Sequence, residues 1–161
     1  MPTIQVHMTV NGTPYEGAVD PRTTLVDFLR GQLGLVGTHV GCEHGVCGAC
    51  TIIVNGQSAR SCLMLAVQAD GATLLTVEGL ARDGELHPIQ EAFMKEHGLQ
   101  CGFCTPGFLM SVYDLLEHNA DPSDDEIRDF LGGQLCRCTG YQSILGAVRR
   151  AAEMLREAKG R

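Results

Sequence analysis

Eight of the 161 residues are cysteines, and they fall into two groups of four. Cys42, Cys47 and Cys50 follow a C-x4-C-x2-C pattern, and Cys62 comes after a gap of eleven residues. This is the plant-type spacing of a [2Fe–2S] cluster. Three thiolates on one tight loop wrap half of such a cluster, and a fourth arrives from a neighbouring strand. The loop must turn backbone N–H groups toward sulfide and thiolate, because a buried anionic group needs donors. Gly37, Gly41, Gly45 and Gly48 are expected to give it the freedom to bend.

The second group is Cys101-x2-Cys104 with Cys136-x-Cys138. Thr105-Pro106 follows the first pair and Thr139-Gly140 the second, so both are expected at helix junctions, where unpaired N–H groups stabilise thiolates. Four thiolates also suit structural zinc, although C-x-C is tighter than the usual zinc pairing. Cys47-Gly-Ala-Cys50 and Cys101-Gly-Phe-Cys104 match the C-x-x-C of dithiol oxidoreductases, but neither has a strand-to-helix setting and each is accompanied by two further cysteines. Cys42-Glu43-His44 begins a Rieske-type C-x-H pattern that no later Cys-x-x-His completes. His44 therefore reads as a loop residue, and His7, His39, His87, His97 and His118 read as ordinary surface or core residues. Arg137 stands between two candidate ligands, facing the site or facing solvent.

Twelve Lys and Arg against nineteen Asp and Glu leave a net charge of −7, which argues against a nucleic-acid or anionic-membrane surface. No run reaches the roughly 18 apolar residues of a membrane span. Met1-Pro2-Thr3-Ile4 leads straight into an alternating pattern, so no export signal is expected. Many cysteines without export point to a cytoplasmic protein with metal or redox chemistry rather than a disulfide scaffold.

The elements that must position these residues fall into two halves. Ile4, Val6, Met8 and Val10 alternate as a half-buried strand, Asn11-Gly12 marks a hairpin, and a second strand runs from about Tyr15 to Val19. A helix follows through Leu25, Phe28, Leu29 and Leu33, capped by Thr23 or Thr24. Thr51–Val54, a turn at Asn55-Gly56, a return strand to Cys62, and a strand at Thr73–Val77 complete the β part. Beyond residues 79–84 the pattern becomes helical: Pro88 to His97, Thr105-Pro106 to His118, a short helix behind the capping box Ser123-x-x-Glu126, and Tyr141 to about Lys159. Phe108, Leu109, Val112, Leu115 and Leu116 read as bundle core, and Asp121, Asp124, Asp125, Glu126 and Asp129 as a solvated face. The fold class is α+β, with residues 1–80 and 81–161 as the two units.

Three stretches carry a resemblance: Gly41 to Thr51 (GCEHGVCGACT), Gln100 to Gly107 (QCGFCTPG) and Leu135 to Tyr141 (LCRCTGY). In order and spacing the chain resembles the small iron–sulfur subunit of xanthine oxidase family molybdenum hydroxylases, whose members include carbon monoxide, quinoline and nicotine dehydrogenases and hydroxybenzoyl-CoA reductase. The resemblance implies a plant-ferredoxin-like β-grasp domain followed by a four-helix bundle, each with one [2Fe–2S] cluster. It implies that Cys101, Cys104, Cys136 and Cys138 hold a cluster next to a molybdopterin cofactor on a large subunit. Cys42, Cys47, Cys50 and Cys62 then hold a cluster toward FAD on a medium subunit, in a heterotrimer or its dimer. Gln100 and Cys138 match the positions nearest the pterin. The implied task is electron relay, with no catalytic residue on this chain. A free-standing two-cluster carrier is the alternative class; a redox sensor would need an output domain.

Overall fold

The computed structural model of the protein describes residues 2–160; Met1, on which the expected start rests, and Arg161 lie outside the described residues. Five strands form one mixed sheet in the order β2-β1-β5-β3-β4. β1 (Ile4–Val10) and β2 (Thr13–Val19) are antiparallel, with Ile4 opposite Val19 and Val10 opposite Thr13. The turn between them has positive φ at both Asn11 (51°) and Gly12 (81°), the conformation a two-residue hairpin requires. β3 (Thr51–Val54) and β4 (Gln57–Arg60) repeat the device through Asn55 and Gly56. β5 (Thr73–Leu75) lies parallel to β1 and antiparallel to β3, closing the centre of the sheet. The Asn11 amide holds that closure, accepting from Thr76 N–H at 2.8 Å and donating to the Thr76 hydroxyl at 2.9 Å.

Val6, Met8 and Val10 face a core with Leu25, Phe28, Leu29, Ile52 and Leu74, as the alternation requires. Ile4 departs from it, remaining 46% exposed at the strand's first position. The expected helix after β2 is short: one α turn, α1 (Leu25–Asp27), capped by Thr24, continues as a π turn over Phe28–Gln32. The return strand ends at Arg60, and Cys62 lies in a 3-10 turn, Ser61–Leu63.

Four helices follow: α2 (Pro88–Lys95), α3 (Thr105–His118), α4 (Asp124–Leu131) and α5 (Gln142–Lys159). Ile89, Phe93, Phe108, Val112, Ile127, Ile144 and Val148 fill their core. The Ser123–Glu126 capping box opens α4 as expected. The acidic face is also a brace, since Asp124 pairs with Arg149 and Asp121 with Arg156 on α5. Such exposed pairs each contribute at most about 1 kcal/mol. The two halves are not separate cores. Ile53 is buried within the helical cluster, with Leu75 and Val77 packed against it. Ser58 on β4 donates to the Asp114 carboxylate on α3 at 2.6 Å.

Candidate metal centres

The loop carrying Cys42, Cys47 and Cys50 is bent by positive φ at Glu43 (58°), Gly45 (83°) and Gly48 (78°). Such turns aim successive backbone N–H groups into one concavity, which favours an anion. The N–H of Cys47 lies 3.4 Å from Cys42 Sγ. Donation from the backbone of Cys47, His44 and Val46 holds the Cys42 thiol down at about 6. Cys50 and Cys62 are buried, and the Cys50 carbonyl accepts from both N–H and hydroxyl of Ser61, at 3.2 and 2.7 Å. Those two bonds bring Cys62 beside Cys50. Burial, reinforced by the Cys50 thiol, pushes Cys62 up to about 11.

In the second group Cys138 Sγ lies 3.5 Å from Cys101 Sγ, and Cys104 and Cys136 are near enough for each to shift the other's thiol. Cys136 is half-buried, and burial alone would raise its thiol. The Thr139 hydroxyl at 3.1 Å and N–H at 3.4 Å from its sulfur reverse that and lower it. Cys101 is lowered chiefly by the N–H of Phe103, whereas burial drives Cys104 up to about 12. Cys104 itself occupies the position before α3, and Thr105 is already helical with its hydroxyl unpartnered, so Thr105 is not the cap that its type suggests. Cys138 lies further from its helix than expected, because Thr139, Gly140 and Tyr141 intervene before α5. Tyr141, at φ 68°, folds this loop back: its hydroxyl accepts from Cys136 N–H at 2.9 Å and donates to the Gln134 carbonyl at 3.2 Å.

All eight cysteines are free, and each group divides into two sulfur pairs: Cys42 with Cys47, Cys50 with Cys62, Cys101 with Cys138, and Cys104 with Cys136. Two thiolates per iron is what a two-iron cluster asks of its rim. A single tetrahedral zinc would draw four sulfurs to one point, and among the described residues no three His, Cys, Asp or Glu converge that closely. The donor set and its N–H groups therefore fit a [2Fe–2S] cluster in each loop.

Gln100 and Cys101 are exposed, as is Cys138. His44 is an exposed loop residue with Nδ1 on the Cys42 carbonyl at 2.5 Å. Two histidines are more than incidental. His39 stacks on Phe103 with ring centroids 5.0 Å apart, and His87 caps α2. The groups are also joined: Leu135 N–H donates to the Cys47 carbonyl at 2.9 Å. Beside it Gln134 is buried, 3% exposed. No sequence pattern marked Gln134, since one buried amide next to two glycines has no periodicity.

A fold of this kind, with two free-cysteine quartets in N–H-lined loops, defines a two-centre iron–sulfur protein. Two family models match: "2Fe-2S iron-sulfur cluster binding domain" over residues 8–77 and "[2Fe-2S] binding domain" over residues 76–149. The caffeine dehydrogenase subunit gamma of Pseudomonas sp. (strain CBB1) is 57% identical, covering 96% of this chain and 94% of that protein. The nicotine 6-hydroxylase small subunit of Paenarthrobacter nicotinovorans is 52% identical, covering 98% and 94%. The crystal structure of quinoline 2-oxidoreductase from Pseudomonas putida 86 superposes with a TM-score of 0.93 at 47% identity, over 96% of this chain and 97% of that one. The chain belongs to the family of small [2Fe–2S] subunits of xanthine oxidase family molybdenum hydroxylases.

Proposed function

We propose that Cys42, Cys47, Cys50 and Cys62 hold one [2Fe–2S] cluster and Cys101, Cys104, Cys136 and Cys138 a second. The chain then relays electrons singly from a molybdopterin centre on a large subunit to FAD on a medium one, within a cytoplasmic heterotrimer or its dimer. Residues 1–80 and 81–161 are the two cluster-bearing units. A bound [2Fe–2S] cluster accepts and releases one electron at a time. The chain's own contribution is placement: N–H donors at Cys42 and Cys136, burial at Cys62 and Cys104, and a fixed seam between the loops. Gln100 and Cys138, on the exposed rim of the second quartet, are the residues assigned to the pterin side.

The observation that carries this reading is the hydrogen bond from Leu135 to the Cys47 carbonyl, which connects the two quartets through a few covalent bonds. A relay needs two centres at a fixed separation, and a diffusing carrier needs only one. Phe103 and Leu135 (50% and 51% exposed) flank the second quartet, and Val46 and Leu63 (57% and 61%) the first. Apolar rims of this kind favour a subunit whose partners cover them over a free carrier.

Four iron and four acid-labile sulfide per chain, with two distinct EPR signals on reduction, are expected. Cys42→Ser and Cys104→Ser should each remove a different signal. Stoichiometric zinc, or one signal at full loading, overturns the assignment. Native co-purification should bring a molybdenum-containing subunit and a flavin-containing one.

A further inference from the structure

We infer that Gln134 is a positioning residue that sets the separation of the two quartets. This inference rests on the two-cluster reading. Gln134 is buried between loops belonging to different quartets, two residues before Cys136. Turned to satisfy all its neighbours, its amide nitrogen donates to the Gly48 carbonyl at 3.1 Å. Its amide oxygen then accepts from the Ser111 hydroxyl and from the Arg60 guanidinium at 3.0 Å. The Thr51 hydroxyl donates to the same Gly48 carbonyl at 2.6 Å. Arg60 also donates to the Gly133 carbonyl at 2.5 Å, so it grips the chain on the other side of Gln134.

Ser111 and Thr51 are 3% and 1% exposed, and buried polar groups of this kind are costly to leave unpaired. The knot therefore has one low-energy arrangement, which involves β3, β4, α3, the Gly48 turn and the loop before Cys136 together. Gly48, at φ 78°, lies between Cys47 and Cys50, and a Cβ there would collide with the Gln134 amide. The closeness is built from both sides. The residue after Gln134 makes the Leu135-to-Cys47 hydrogen bond, so the amide anchors the one direct backbone link between the quartets among the described residues. A side chain that only filled space would not need three polar partners drawn from a loop, a helix and a strand.

The test uses the cluster-loaded chain, with iron and sulfide content measured first. In the doubly reduced protein, two paramagnetic clusters split each other's EPR signals by an amount that depends on their separation and orientation. Gln134→Leu, similar in size but unable to bond, should alter that splitting and slow electron exchange between the clusters. The singly reduced spectra should stay close to the parent's. Ser111→Ala, a milder change, should move the splitting the same way by less, and Gln134→Glu, which keeps an acceptor for Ser111 and Arg60 but replaces the donor to the Gly48 carbonyl with a second acceptor, should also alter it. Parent-like splitting and exchange in both Gln134→Leu and Ser111→Ala, with both clusters retained, overturns the inference. A parent chain without two clusters overturns the reading beneath it instead.

Discussion

The N–H of Leu135 and the carbonyl of Cys47 are 2.9 Å apart, joining a member of the first quartet to the neighbour of Cys136 in the second, 88 positions distant in sequence. Nothing in either loop's own pattern requires this bond. It exists because α3 and the Gly132–Leu135 segment press directly on the cysteine loop. Gly107, in the first turn of α3, meets the Gly48 carbonyl where a side chain would be, with Gly48 C and Ala49 Cα each 3.0 Å from an added Cβ.

Gly107→Ala should therefore force helix and loop apart. Backbone cannot swing aside as a flexible side chain can, so the expected loss is at the upper end of overpacking costs, about 2–3 kcal/mol. The denaturant midpoint of the loaded chain reads it. Gly31→Ala, where an added Cβ meets nothing within 4 Å, should stay within about 0.5 kcal/mol of the parent. Equal midpoints for the two variants would refute the close-contact account.

Much of this was legible from sequence, because the informative signals are local. The Asn-Gly turns, the alternation of Val6, Met8 and Val10, the Ser123 capping box and the cysteine spacings each act within a few residues. What escaped was decided by contacts between distant segments. Ile4 has an apolar type but nothing to cover it. Thr105 has the type of a cap, yet Cys104 takes the position before the helix. Gln134 looks like a loop residue and becomes the centre of a buried network only when Thr51 and Ser111 arrive from other elements.

His87 provides a pH prediction. Its Nδ1 accepts from Ile89 N–H at 3.3 Å while Gln90 accepts from His87 N–H at 2.9 Å. The cap requires a neutral ring, and burial, with Arg82 adding to it against an opposing Glu117, lowers the His87 pKa below its ordinary value of 6.5. The folded state thus binds this proton less readily than the unfolded state. The contribution is complete above about 6.5 and is lost as pH falls through the lowered folded value. His87→Asn keeps a capping oxygen and removes the titration. The Tm of the variant should fall less than the parent's between pH 7.5 and 5, by the equivalent of at most about 1 kcal/mol. Parallel Tm profiles would exclude the cap as the cause.

Arg137 lies between Cys136 and Cys138, is exposed, and makes no ion pair among the described residues. A guanidinium in solvent about 6 Å from a cluster contributes roughly 0.7 kcal/mol at the dielectric of water. For a one-electron couple that is about 30 mV. Arg137→Gln in the isolated loaded chain should lower the potential of the second-quartet cluster by this small amount, and by less in high salt. A shift near 100 mV would instead mean that the side chain turns inward onto the cluster.

Thr139 should tune the same cluster more strongly. Its hydroxyl oxygen accepts from Tyr141 N–H at 3.1 Å and lies 3.1 Å from Cys136 Sγ; a thiolate bound to a cluster has no proton of its own, so in the loaded chain the hydroxyl is the donor. A hydrogen bond to a charged acceptor contributes about 1.5–3 kcal/mol. Reduction places more negative charge on the cluster and its thiolates, so the bond strengthens in the reduced state and raises the potential. If about 1 kcal/mol of the bond is specific to that state, Thr139→Val should lower the midpoint by roughly 40 mV. Thr139→Ser, which keeps the hydroxyl, should lie near the parent. The signal to follow in an EPR-monitored redox titration is the one that Cys104→Ser removes. The other cluster should not move, because its closest link to this loop is the backbone bond at Leu135, which neither variant touches. Equal shifts at both centres, or a Thr139→Ser variant as low as Thr139→Val, would show that the hydroxyl shapes the loop rather than the potential.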